Sequence, residues 1–231
     1  MKKSLLLTLA MLAASVSTIA AQTVGSLPDK SPFLDLHDDM RFGVVAGFLA
    51  TGTDVVGVGP KSAPFAGVRY DLAIGGPMYL TGTIFGTSTT RSVFDYTRSA
   101  ATRNIGTQSQ GLVVANVAIA MSLTGERSWH HLQPLVNLGV GVASGPGDKV
   151  DISGYTFGTQ FSFSYGFGVR WVTGRNSELR FDLNQYWWQL KYPENYRSTQ
   201  GDPIAIKAAG SLDSYTVNTA LTIAWTLRAF R

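Results

Sequence analysis

Residues 155–172 read YTFGTQFSFSYGFGVRWV. From Phe157 onward the odd positions carry Phe157, Thr159, Phe161, Phe163, Tyr165, Phe167, Val169 and Trp171. The even positions carry Gly158, Gln160, Ser162, Ser164, Gly166, Gly168 and Arg170. Successive side chains of a strand point to opposite sides, so an alternation this long describes a β-strand with one bulky apolar face and one small polar face. Which face meets water decides the fold.

Composition narrows the choice. The chain has 231 residues, of which 45% are hydrophobic, enough for a sizeable core. Only 15% are charged, against about 25% in ordinary soluble domains, so a conventional water-covered surface is hard to assemble from it. The formal net charge of +4 includes Lys2 and Lys3; without them it is 4 − 2 = +2. The remaining Lys and Arg are scattered, with no basic helix or cluster, so no nucleic-acid partner is expected. Cysteine is absent, which removes disulfides, thiol catalysis and thiolate-bound metals.

The first residues have the layout of a secretory signal: Lys2 and Lys3, an apolar run at 5–14, and a small-residue stretch ending in Ala20 and Ala21. A signal peptide is expected over 1–21, since the apolar run falls short of the ~20 residues that a spanning helix needs. Residues 22–40, with Pro28, Pro32, Asp35, Asp38 and Asp39, read as an N-terminal linker. Residues 41–231 read as one domain.

Within that domain, alternating segments fall at about 41–50, 68–74, 78–89, 110–123, 133–143, 157–172, 178–190 and 214–227. Eight segments of roughly ten residues with a period of two are the pattern of a membrane-spanning barrel. The connections alternate in length. Those after the first, third, fifth and seventh segments are long, including a polar loop expected at 90–109, and those after the second, fourth and sixth are short. A meander built this way has two different ends, and an even strand count puts both termini at the short-turn end.

Two architectures share the strand pattern: a soluble barrel or sandwich with the apolar face inside, and a membrane barrel with it outside. A soluble barrel would show water many Lys and Glu, yet mid-strand Lys and Glu are nearly missing; the three glutamates, Glu126, Glu178 and Glu194, fall in turns, at a strand start or in a loop. The apolar face is therefore predicted to face lipid, and the sheet must close because hydrocarbon cannot solvate a free edge. Tyr79, Trp129, Trp171 and Trp225 fall near the short-turn end, and Trp187, Trp188 and Tyr192 near the long-loop end, as two interfacial aromatic belts. The predicted fold is an all-β, eight-stranded antiparallel up-and-down transmembrane β-barrel.

With its leader, eight alternating strands, short turns and long loops, the stretch 41–227 resembles the small eight-stranded outer-membrane β-barrels of Gram-negative bacteria, the OmpA transmembrane domain and OmpX type. The resemblance is architectural, and no single motif is specific to that group. It implies a monomer in the outer membrane with both termini in the periplasm and long loops outside, contacts with membrane lipid and lipopolysaccharide, and delivery by the outer-membrane insertion machinery. One departure is that Phe230 is penultimate and out of phase with Leu227, whereas such barrels commonly end in an aromatic residue.

Candidate chemistry is sparse. His130 and His131 fall in a short turn and His37 in the linker, so no histidine lies in the long loops where an outer-leaflet lipid-modifying enzyme would need a base. No catalytic, cofactor or metal residues are assigned. The strongest constellation is a polar network expected in the lumen: Arg69 and Asp71 in the second segment, Arg180 and Asp182 in the seventh, and Arg170 across the short turn from the latter. Arginine suits bidentate carboxylate pairing, and eight strands enclose a width that side chains just fill. An ion-selective constriction is the alternative use of the same residues. The loop cations Arg91, Arg98, Arg103, Lys191, Arg197 and Lys207 fit either lipopolysaccharide contact or ordinary solvation. The expected role is structural or loop-mediated interaction, with a narrow passive pore for small solutes or ions as the second reading and a lipid-modifying enzyme as the third.

Overall fold

The computed structural model describes residues 31–36, 40–95, 97–99, 101–174, 176–198, 206–207 and 210–228. The expected leader, His37 and Phe230 lie outside the described residues.

Eight long strands carry the fold: β1 (Met40–Ala50), β2 (Ala63–Gly75), β3 (Met78–Phe94), β4 (Asn104–Ser122), β5 (Leu132–Ser144), β6 (Thr159–Val172), β7 (Ser177–Lys191) and β8 (Asp213–Arg228). Each is antiparallel to the next in sequence, and β8 pairs with β1 over ten residues, Thr219 with Ala50 through Arg228 with Arg41. The pairings therefore form a ring in which each strand has a partner on both sides. Among the described residues no helix is long and apolar enough to cross a membrane.

The alternation of the sequence becomes two faces of this sheet. On β6, Phe161, Phe163, Tyr165, Phe167, Val169 and Trp171 are exposed, while Gln160, Ser162, Ser164 and Arg170 are buried. The same holds on β1, where Phe42, Val44 and Phe48 point out and Arg41, Val45 and Leu49 point in, and on β8, where Leu221, Ile223 and Trp225 point out and Ala220, Thr222 and Ala224 point in. Small residues let the walls approach the side chains within. A methyl group at Gly168 would meet Asp182 Oδ1 at 2.1 Å, so that glycine makes room for an interior carboxylate.

Several expectations need correction. The linker assigned to 22–40 contains a strand: Phe33–Asp35 pairs antiparallel with Arg127–Trp129 at the short-turn end. The polar loop expected at 90–109 is largely ladder, because β3 and β4 stay paired from Met78–Met121 out to Phe94–Asn104. Polar side chains such as Thr90, Ser92 and Gln108 carry strand here because their backbone groups are satisfied in the ladder. Strand β6 begins only at Thr159. Before it, Gly158 takes a left-handed backbone (φ +63°) that breaks the alternation, and Phe157 lies buried inside rather than facing out; Tyr155 is buried as well.

Two members of the aromatic belts are also misplaced in the sequence reading. Trp129, Trp171, Trp187 and Trp225 are exposed on the outer face, but Tyr79 and Trp188 are buried, at 2% and 1% exposure. Trp187 and Trp188 are adjacent in a strand and must point to opposite sides, and Trp188 shares the inward phase of Arg180 and Asp182. Tyr79 shares the inward phase of Thr81, Thr83 and Phe85 on β3.

Candidate functional site

The interior is built in three layers, read from the short-turn end. In the first, Arg170 from β6 and Arg41 from β1 converge on Glu178 from β7, with Arg41 Nη1 at 3.0 Å from Oε2 and Arg170 Nε at 3.3 Å from Oε1. Thr226 donates its hydroxyl to Glu178 Oε1 at 2.9 Å, and Arg170 donates to Gln133 Oε1 at 3.0 Å. The Arg170 guanidinium also lies over the ring of Tyr79, 4.3 Å from its centroid, which is why Tyr79 is held inside.

The second layer is a closed circuit of four charges. Arg69 Nε donates to both oxygens of Asp71, at 3.0 and 2.9 Å, and its Nη1 reaches Asp182 Oδ2 at 2.9 Å. Arg180 Nε donates to both oxygens of Asp182, at 2.9 and 3.0 Å, and its Nη1 lies 3.6 Å from Asp71. Two arginines face two aspartates, so the circuit is balanced. Thr81 donates to Asp71 at 2.6 Å, and Asn137 accepts from Arg180 at 2.8 Å. Burying a charge is costly unless it is paired and hydrogen-bonded, and the cross-linked geometry meets that condition.

Of the five predicted network residues, Arg69, Asp71, Arg180 and Asp182 thus lie in one circuit, and Arg170 belongs to the layer beside it. Sequence reasoning missed Arg41, Glu178, Thr81 and Asn137. Phase was the available signal for two of them: Glu178 is in register with Arg180 and Asp182 along β7, and Arg41 with Val45 and Leu49 along β1.

The third layer, toward the long loops, is apolar. Val45, Leu49, Phe65, Phe85, Leu112, Val114, Tyr186, Trp188 and Leu190 point inward from the strands and pack into one cluster. Three loops close over them, contributing Val56 and Val58, Tyr155 and Phe157, and Tyr192 and Tyr196. Phe65 stacks on Phe85 with centroids 4.2 Å apart, and Phe157 meets Trp188 edge-on at 6.2 Å.

Polar ties hold these loops in the mouth. Arg91 is fully buried, not solvated as the sequence allowed: Nη1 reaches Asp151 Oδ2 at 2.5 Å, Nη2 lies 3.7 Å from Asp148, and the guanidinium sits 5.1 Å from the Tyr155 ring centroid. Arg103 is buried as well, and Arg197 pairs with Glu194 at 2.6 Å and Arg98 with Asp95 at 3.0 Å. Asp148 accepts from the Phe157 amide at 2.7 Å, and Asp151 from the amides of Ser153 and Tyr155 at 2.8 and 3.2 Å. Tyr192 donates to Asp54 at 2.9 Å. Partial burial raises the proton affinity of Asp151, but its hydrogen bonds from Ser153 and Arg91 outweigh this and hold it below the usual carboxylate range. Burial pushes the Tyr196 phenol up to about 12, and also raises Tyr155 and Tyr192.

Among the described residues no three His, Asp or Glu side chains are grouped to hold a metal. The ring of His130 packs edge-on against Trp129, 4.8 Å between centroids.

No family model matches the chain, and no curated protein matches it. Solved structures do. The outer membrane protein OprG from Pseudomonas aeruginosa is similar with a TM-score of 0.50 at 9% identity, over 83% of this chain and 96% of that one. Neisserial surface protein A is similar with a TM-score of 0.47 at 10% identity, over 85% of this chain and 97% of that one. The chain shares the fold of OprG.

Proposed function

We propose that this chain, an all-β up-and-down ring of eight antiparallel strands with the fold of an outer-membrane β-barrel, is itself an outer-membrane protein whose barrel is filled and whose role is structural or interactive. The ring leaves no sheet edge among its eight long strands, and its outer face is apolar along the strands, the combination that lets β-structure sit in hydrocarbon. Exposed Trp129, Trp171 and Trp225 at the short-turn end and Trp187 toward the other fit interfacial depth at both sides. Orientation follows the resemblance: short turns in the periplasm, long loops outside.

The observation that carries the reading is the continuous interior. A charged layer, a closed four-charge circuit and an apolar cluster follow one another along the axis, and three loops fold into the outer mouth. A barrel packed in this way serves as a rigid mount for its outer surface. No catalytic group is assigned, so a non-enzymatic role is proposed. The narrow-pore reading is separated by liposome swelling: vesicles carrying the chain should swell in small sugars no faster than empty ones, and rapid swelling would favour the pore. Membrane residence is tested independently by fractionation, since recovery of the folded chain without detergent contradicts it.

A further inference from the structure

We propose that the outer face of β6, β7 and β8 carries an interface with a second copy of this chain, centred on Gln185, in place of the monomer that the architectural resemblance implies. Outward-facing residues form one row across these strands. Tyr165 on β6 pairs with Gln185 on β7, Gln185 with Thr219 on β8, and Thr219 with Ala50 on β1. Tyr165 is exposed, and Gln185 and Thr219 are half-buried. None of these three side chains has a hydrogen-bond partner among the described residues.

The row lies inside the apolar band. Gln185 is two residues on the short-turn side of Trp187 and six from Leu179, which pairs with Trp171 and Trp225. Exposed Phe161 and Phe163 continue the outer face of β6 on one side of Tyr165, and exposed Phe167 continues it on the other. The far side of the ring is built differently. The outward positions of β3 from Met78 to Gly86, of β4 from Val113 to Met121 and of β5 from Pro134 to Val142 carry no polar side chain. Hydrocarbon offers neither donor nor acceptor, so an unpaired carboxamide is costly there, and polar side chains between membrane segments act as links. The interface therefore rests on the membrane reading above.

The chemistry of the row selects a second copy as its occupant. A carboxamide carries both a donor and an acceptor, so two Gln185 side chains across a two-fold axis can exchange a reciprocal pair of hydrogen bonds. The shape is complementary under the same axis. Along the row the side chains shrink from Tyr165 through Gln185 to Thr219 and Ala50. An axis at Gln185, parallel to the membrane normal, sets the bulky β6 flank of one copy against the small β8 and β1 flank of the other. Small residues at such a contact let the two backbones approach closely.

The test uses the full chain refolded in detergent and in phosphatidylcholine vesicles, with its fold checked by heat-modifiable migration and its insertion by flotation. The chain has no cysteine, so single introduced cysteines report proximity without background. Under copper phenanthroline oxidation in vesicles, Leu183→Cys, the next outward position on β7, should form disulfide-linked dimers. Ile84→Cys on β3, across the ring, should not. Sedimentation equilibrium in detergent should give a dimer whose association constant falls about tenfold in Gln185→Leu, the worth of a reciprocal pair of hydrogen bonds within a membrane. Gln185→Asn, which keeps the carboxamide, should lie nearer to wild type. A wild-type chain that stays monomeric at every concentration overturns the proposal, and one that also retains phospholipid through extraction assigns the row to lipid instead. Cross-linking of Ile84→Cys as readily as Leu183→Cys, or undiminished association of Gln185→Leu, overturns it equally. Failure to float with the vesicles counts against the membrane reading.

Discussion

Arg69 on β2 donates to Asp182 on β7 at 2.9 Å, across an interior in which those two strands share no ladder. The contact closes the four-charge circuit and ties together parts of the chain 113 residues apart. It makes each carboxylate answerable to two arginines. Asp182→Asn should therefore leave Arg69 and Arg180 short of an anion and cost about 3 kcal/mol, the scale of breaking a buried pair from one side. Urea unfolding in lipid vesicles measures this, and a loss below ~1 kcal/mol would mean that the circuit contributes little.

Gly168 gives the same circuit a steric test. Replacing a strand glycine with alanine ordinarily stabilises by about 0.5–1 kcal/mol. Here the new methyl would lie 2.1 Å from Asp182 Oδ1, so Gly168→Ala should destabilise instead. Since both changes act through one carboxylate, Gly168→Ala combined with Asp182→Asn should cost less than the two single changes together.

The outward assignment of β6 is tested at Phe167, which is 65% exposed and pairs with Val136 on β5 and Leu183 on β7. Phe167→Arg should cost roughly 2–4 kcal/mol in a bilayer, as expected for a cation on the lipid face near mid-depth. In a water-exposed sheet the same change would be close to neutral.

Acid should loosen the outer mouth. The carboxyl of Asp151 is held below its usual range, so its contribution is complete above that range and is lost as pH falls through the lowered value. Amide exchange at Tyr155 and Phe157, corrected for its intrinsic pH dependence, should be slow at pH 7 and accelerate at strongly acid pH. Arg91→Gln should raise it about tenfold at pH 7, the equivalent of one lost ion-pair hydrogen bond of ~1.4 kcal/mol.

The tyrosines of the mouth report from the alkaline side. Tyr196 is pushed up to about 12 by burial, above the ordinary phenol value of about 10. A raised folded value favours the neutral form, so the stabilisation is present below pH 10 and lost as pH rises through 12. Ultraviolet titration should show Tyr196→Phe removing a late-ionising phenol and leaving the transition near pH 10 unchanged.

Much of the fold was legible because a strand period of two survives any environment. The alternation from Phe161 to Trp171 marks the outer face of β6 correctly, and the scarcity of mid-strand Lys and Glu orients it. The same rule misleads where backbone geometry changes the phase: Gly158, at φ +63°, turns Phe157 inward although it continues the odd-numbered series. Of the candidate site, the charged residues on β2 and β7 were readable from their phase, but their partners were not, because a contact such as Arg69–Asp182 depends on ring closure. The apolar outer layer was hidden for another reason. Val45, Leu49, Leu112 and Val114 occupy inward positions among apolar neighbours, and an apolar residue on both faces carries no sign of which neighbour it will meet. Loop charges such as Arg91 read as solvated until the loop bearing Asp148 and Asp151 is seen folded over them.

The filled interior is the central claim, and single-channel recording of the refolded chain in planar bilayers tests it most directly. The packed layers predict at most small, infrequent openings, with Arg91→Gln raising their frequency without producing a steady current, because the charged circuit below the mouth stays in place. A large, steady conductance from the wild-type chain would contradict the account.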